Sequence, residues 1–185
     1  MKRLDDHRRD AEQMEEYVFA RFHPNPALIM RFVVVGELKH VAISADRGGG
    51  RTMLHVRGNA GMDLEAASVE RIVDLRRREG NREHRWLAVG RLPECDVFIN
   101  DYTVSASHGR FHTVPGLSRT LYEDAGSTNG SAHNGILLEP DEKVMLTNGD
   151  LICLGRMAFT YFDPRGLHRY LLGNFDWDRK IRPPP

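Results

Sequence analysis

Between residues 68 and 163 the chain is a succession of short apolar runs broken by turn-forming residues, and no helix of ordinary length fits between the breaks. Candidate strands fall at 71–75, 86–91, 97–100, 110–114, 120–124, 136–138, 143–146, 151–154 and 158–162. Their separators are glycine, proline, asparagine and aspartate, at 79–81, 92–94, 115–116, 126–130, 139–141 and 148–149. Many short strands at this spacing predict an all-β sandwich of antiparallel strands. Asn148-Gly149, between two apolar runs, predicts a tight hairpin because both residues tolerate positive φ.

The flanks have different patterns. Residues 10–22 predict one short amphipathic helix with Asp10 and Gln13 at capping-box spacing and Met14, Tyr17, Val18 and Phe22 on one face. The prolines at 24 and 26 stop it. Runs at 28–35, 38–44 and 51–57 predict a small antiparallel meander, with the glycines at 48–50 in a hairpin turn. No Lys-Ser or Lys-Thr follows those glycines, so they are not a P-loop. At the other end, Asp163-Pro164 is an N-cap followed by proline at the first helical position, and Gly173 is a natural stop. The tail from Arg182 to Pro185 reads as a frayed terminus. Three parts are therefore expected: an N-terminal extension of helix and meander at 1–67, the sandwich at 68–163, and a short helix with tail at 164–185.

Charge narrows the partners. Acidic and basic residues number 26 each, which gives no net field toward nucleic acid or an anionic membrane. The arginines at 76–78, with Arg82 and Arg85, lack interleaved aromatics and read as a solvated strand end. Cys95 and Cys153 are far apart and form no ligand pair or redox motif, as expected of reduced thiols in a cytoplasmic protein. His108 and His112 have the spacing of a helical metal pair, but they open a strand and no further ligands accompany them, so no metal and no cofactor is expected. No signal core or membrane-length apolar run is present.

The chemistry lies in the loops. Gly90-Arg91 ends one strand, residues 105–108 (Ser-Ala-Ser-His) open another, residues 127–130 (Ser-Thr-Asn-Gly) lie between two more, and Asn134-Gly135 follows. An arginine, two hydroxyls and an asparagine converging at one end of a rigid sheet make a small anion site. None of these positions supplies an obvious general base, and no catalytic motif appears elsewhere.

In this order and at this spacing the four segments resemble the forkhead-associated (FHA) domain family. The resemblance covers about 95 of the 185 residues and implies an FHA-type sandwich of about 10–11 short antiparallel strands. The segment at 71–78 is similar to the first strand of certain bacterial members. The resemblance implies a phosphothreonine-peptide binding module that recruits a partner phosphorylated by a Ser/Thr kinase. Arg91, Ser105 and Thr128 are then the phosphate contacts. Asn129, with Ser107 and Thr103, reads the bound peptide. Gly90, His108, Gly130 and Asn134 support the loops. Selection of threonine over serine would come from a small pocket for its methyl, worth on the order of 1–3 kcal/mol. Ala106 departs from the polar residue most often found after the first serine, which bears on affinity. A scaffold that binds its partner independently of phosphate is the alternative, and an enzyme is not expected.

Overall fold

The computed structural model describes residues 2–34, 37–43, 51–57, 62–63, 71–79, 85–114 and 119–177. The glycine run at 48–50, the turn at 115–116 and the tail at 182–185 lie outside the described residues.

Strand β1 (Lys2–Arg3) leads into helices α1 (Leu4–Gln13) and α2 (Glu16–Phe22). Then come β2 (Ala27–Val34), β3 (Glu37–Ile43), β4 (Arg51–Arg57), β5 (Met62–Asp63) and β6 (Arg71–Asp74). The loops of interest connect β7 (Leu87–Gly90), β8 (Val97–Phe98), β9 (Gly109–Val114), β10 (Arg119–Asp124) and β11 (Ser131–His133). The remainder is β12 (Ile136–Leu137), β13 (Lys143–Leu146), β14 (Leu151–Leu154), β15 (Met157–Phe162) and α3 (Pro164–Leu171).

These strands form two packed sheets, as expected of an FHA-type sandwich. One runs β1-β6-β2-β15-β14-β11-β12-β4-β3 with β5 beside β2, and the other runs β13-β10-β9-β7-β8. Leu87, Val89, Phe111 and Tyr122 of the smaller sheet meet Leu28, Ile152, Leu154, Phe159 and Tyr161 of the larger in the main core. Each such side chain contributes roughly 1.5–3 kcal/mol by leaving water.

β2 has buried side chains on both faces of the larger sheet, which the period of two along the strand makes possible. Leu28 and Met30 face the main core, whereas Ala27 and Ile29 join Leu4, Phe19, Phe162, Leu167 and Leu171 in a second core under the helices. Asp163 caps α3 by accepting from the Gly166 N–H at 2.7 Å, as its sequence predicts. Both cysteines are buried and free; burial pushes Cys153 up to about 11 and raises Cys95 as well.

Four expectations are corrected. The N-terminal helix is two helices, broken at Glu15, whose ψ of 154° is extended. Asp10 is inside α1 and bonds His23, and the face expected to be buried is not: Tyr17 and Phe22 are 64% and 68% exposed, while Phe19 is buried. The meander forms in part: β3 and β4 pair antiparallel as expected, but β2 pairs with β15 and β6, and β4 joins the sheet through β12. The leading strand of the sandwich is therefore β2, with 71–74 beside it. Finally, Asn148-Gly149 makes its turn, with Gly149 at φ 82°, but β13 and β14 belong to different sheets, so the turn is not a hairpin. The Asn148 side chain is committed to Asp163: its Oδ1 accepts from the Asp163 N–H and its Nδ2 donates to the carboxylate.

Candidate functional site

Three connections leave the same end of the sandwich: β7 to β8 with Arg91, β8 to β9 with Ser105, and β10 to β11 with Thr128. Gly90 lets the first two touch. A Cβ there would lie 2.2 Å from the Ala106 carbonyl oxygen, closer than atoms can pack. With only hydrogen in that space, the Arg91 N–H donates to the Ser105 carbonyl at 2.9 Å and the Leu92 N–H to the Ala106 carbonyl at 3.3 Å. The exposed Arg91 side chain is steadied by Nε, which donates to the Val104 carbonyl at 3.2 Å. Among the described residues, no hydrogen bond or ion pair engages its terminal guanidinium nitrogens.

Ser105 joins the second loop to the third. Its Oγ accepts from the Thr128 N–H at 2.9 Å and lies 3.3 Å from Thr128 Oγ1. Two hydroxyls and a guanidinium thus share one rim, at loops whose main chains are bonded to each other. Beneath them His108 is fully buried, and its Nδ1 accepts from the Ser105 N–H at 3.0 Å. An accepting Nδ1 places the ring proton on Nε2 in the neutral tautomer. Burial holds this imidazole below the ordinary histidine range, and the carboxylate of Asp124, 3.9 Å from Nε2, only partly offsets that.

Asp124 anchors the third loop. It is buried, accepts from the Ser127 N–H at 2.7 Å and Ser127 Oγ at 2.8 Å, and also accepts from Ser131 Oγ, which meets the Tyr122 hydroxyl at 2.7 Å. The four-residue reach from Asp124 to Ser127 is the local side-chain-to-backbone pattern these residues favour in turns. Gly130, at φ 73°, turns the chain into β11.

Asn129 ties the rim to a further group. Its Nδ2 donates to the Thr103 carbonyl at 2.8 Å. Thr103 is buried, and its hydroxyl donates to Asp101 at 2.6 Å while accepting from the Arg156 N–H at 3.1 Å. That side chain is spent inside the loop and is not available to read a peptide. Arg156 grips Asp101 through Nε and Nη2 and lies over the exposed Tyr102 ring, 4.4 Å from its centre. Burial pushes Asp101 up, but hydrogen bonds from Arg156 and Thr103 outweigh it and hold the carboxylate below its ordinary range.

Of the residues singled out from sequence, Gly90, Arg91, Ser105, His108, Thr128, Asn129 and Gly130 are joined by these contacts. Ser107 is exposed beside them. Asn134 is not in the cluster: it makes the β11–β12 turn with Gly135, both at positive φ, and bonds Asp150 and the Leu151 N–H. Asp124, Asp101 and Arg156 had no assigned role. The Asp-x-Thr at 101–103 and Asp-x-x-Ser at 124–127 spacings signal the first two, whereas Arg156 reaches Asp101 across 55 positions with no local signal.

Residues 87–155 match the family model for the FHA domain. The chain is 34% identical over 74 residues to the glycogen accumulation regulator GarA of Mycolicibacterium smegmatis, covering 40% of this chain and 44% of that protein. It is also 34% identical over 74 residues to the oxoglutarate dehydrogenase inhibitor of Corynebacterium diphtheriae, covering 40% and 48%. The chain thus spans about half the length of the curated relatives it matches. Among solved structures, the FHA domain of the CT664 protein from Chlamydia trachomatis superposes with a TM-score of 0.44 at 19% identity, covering 75% of this chain and 97% of that one. Residues 87–155 of this chain are an FHA domain.

Proposed function

We propose that the chain is a phosphothreonine-peptide binding module, a signalling adaptor that recruits a partner phosphorylated by a bacterial Ser/Thr kinase and catalyses no reaction itself. The observation that carries this reading is the Ser105–Thr128 contact at the rim where Arg91 emerges. A phosphothreonine brings nearly two negative charges and three strong acceptor oxygens. Arg91 would take two of those oxygens with its planar fork, and the hydroxyls of Ser105 and Thr128 would turn from each other onto the phosphate. Each charge-assisted bond to the rim is worth roughly 1.5–3 kcal/mol.

Among the described residues Asn129 bonds Thr103 through its Nδ2, and its second amide hydrogen and its oxygen suit a peptide main chain. Ser107 is placed to assist. The names of GarA and the oxoglutarate dehydrogenase inhibitor, a regulator and an inhibitor, fit a binding protein. Regulation by binding, in the cytoplasm, is the role we extend to this chain. The recognition unit at 68–163 would work with β2, borrowed from the 1–67 segment, and with the helix of 164–185 as a brace.

The experiment is a fluorescence anisotropy titration with a degenerate phosphothreonine peptide library and its unphosphorylated counterpart. Phosphate-dependent binding lost in Arg91→Ala is the expected result. Equal binding of both libraries, or indifference to Arg91→Ala, would favour a phosphate-independent scaffold instead.

A further inference from the structure

Helix α2 turns an apolar face to solvent. Tyr17 and Phe22 are 64% and 68% exposed and Val18 is 40% exposed, while the buried residue of this helix is Phe19. At about 3.6 residues per turn, Tyr17, Arg21, Val18 and Phe22 follow one another around about 140° of the helix. Contiguous apolar patches of more than a few hundred Å² are rare on monomers and mark interaction surfaces.

The helix that carries this face is fixed from its other side. Phe19 packs in the second core, with its ring centre 4.5 Å from that of His23 and 5.2 Å from that of His168. His168 Nε2 donates to the Met14 carbonyl at 2.8 Å, and Arg169 donates to the two carboxylate oxygens of Glu16 at 2.6 and 2.9 Å. The patch is therefore preset, and ordering costs on association are lowest for such a surface.

The charges around the patch select its partner. Glu15 is exposed at the start of α2 and Arg21 is exposed in its last turn. Among the described residues no ion pair engages either side chain. A patch that is acidic at one end, basic at the other and apolar between is complementary to itself turned end for end, which is what a two-fold interface requires. We infer that α2 is a homodimer contact: two copies of this chain pack through Tyr17, Val18 and Phe22 of antiparallel α2 helices, with Glu15 of each copy facing Arg21 of the other.

Two aromatic side chains of roughly 150–250 Å² each, about two-thirds exposed, put on the order of 300 Å² of apolar surface on each copy when Val18 is added. Two copies together give about 600 Å², half of the roughly 1,200 Å² at which stable interfaces begin, so the dimer is a reversible one formed at micromolar concentration. The inference is independent of the phosphopeptide reading, because no residue of the rim belongs to the core beneath α2. Where both hold, the dimer carries two rims, and a partner with two phosphothreonines gains avidity without a new contact at either rim.

The test is sedimentation velocity on the full chain over a concentration series from low to high micromolar. The parent is expected to pass from monomer to dimer along the series, whereas Val18→Glu and Phe22→Glu remain monomers throughout. Both positions are exposed, and a melting temperature equal to that of the dilute parent certifies each fold. Glu15→Arg and Arg21→Glu are each expected to weaken the dimer several-fold, since the two-fold counts every pair twice, and the variant carrying both changes is expected to regain the parent's affinity. A parent that stays monomeric at every concentration would overturn the inference. So would a dimer that persists in both Val18→Glu and Phe22→Glu, or a doubly charge-reversed variant no tighter than the single ones.

Discussion

The Thr128 N–H donates to Ser105 Oγ at 2.9 Å, so a main-chain group of one loop is satisfied by a side chain of another. The same serine offers its own N–H to His108 below. Ser105 thus fixes the separation of two loops and also stands at their solvent edge. A residue in that position couples loop geometry to whatever binds there.

Ser105→Ala and Thr128→Ala should each weaken a phosphothreonine peptide by about tenfold to a hundredfold, the value of one charge-assisted hydrogen bond. Because the two residues touch, their effects should not add: the double variant should lose less than the sum, which isothermal titration calorimetry on the four proteins would reveal.

Gly90→Ala should be costly although it adds one methyl group. The new Cβ would meet the Ala106 carbonyl oxygen at 2.2 Å, and neither is the end of a flexible side chain. The β7 end and the Ser105 loop must part, at about 1–3 kcal/mol by analogy with overpacked cores. Chemical denaturation should show the loss, accompanied by weaker peptide binding.

His108 predicts an acid sensitivity with a definite sign. Burial holds its folded-state pKa below the ordinary value of 6.5. Below pH 6.5 the unfolded chain takes up a proton that the folded chain refuses, so stability falls as pH drops from 6.5 toward the folded value and levels off beneath it. His108→Gln removes this contribution, and its stability should vary less than the parent's between pH 7 and 5.5 in thermal melts.

Arg156→Gln should loosen the site from behind. Asp101 loses the guanidinium that holds it ionised, and Thr103, which presents its carbonyl to Asn129, loses a rigid neighbour. Peptide affinity should drop several-fold with the phosphate contacts intact, and the Asn129 side-chain amide resonances should broaden in nuclear magnetic resonance spectra.

How much of this was legible in the sequence depended on distance along the chain. Strands such as 143–146 and 151–154 are visible because alternation and turn residues are local signals. β11 was not visible, since Ser131–His133 is three residues long and its partners are distant: Ser131 bonds Tyr122 and Asp124, and Ala132 packs with Cys153 and Ala158. The Asn148 turn was visible, but its destination was not, because the Asp163 contact that redirects it is 15 residues away. For the same reason Arg91, Ser105 and Thr128 could be read from a motif, whereas the Asp101–Arg156 brace required coordinates.

The most direct measurement is the affinity of one phosphothreonine peptide for the parent chain and for Arg91→Ala and Arg91→Lys, alongside its unphosphorylated and phosphoserine forms. Loss of the planar fork should cost at least tenfold in the lysine variant and more in alanine, with phosphothreonine preferred over phosphoserine and the bare peptide not bound. Equal affinities across the three proteins, or across the phosphorylated and bare peptides, would contradict a phosphate grip at this rim.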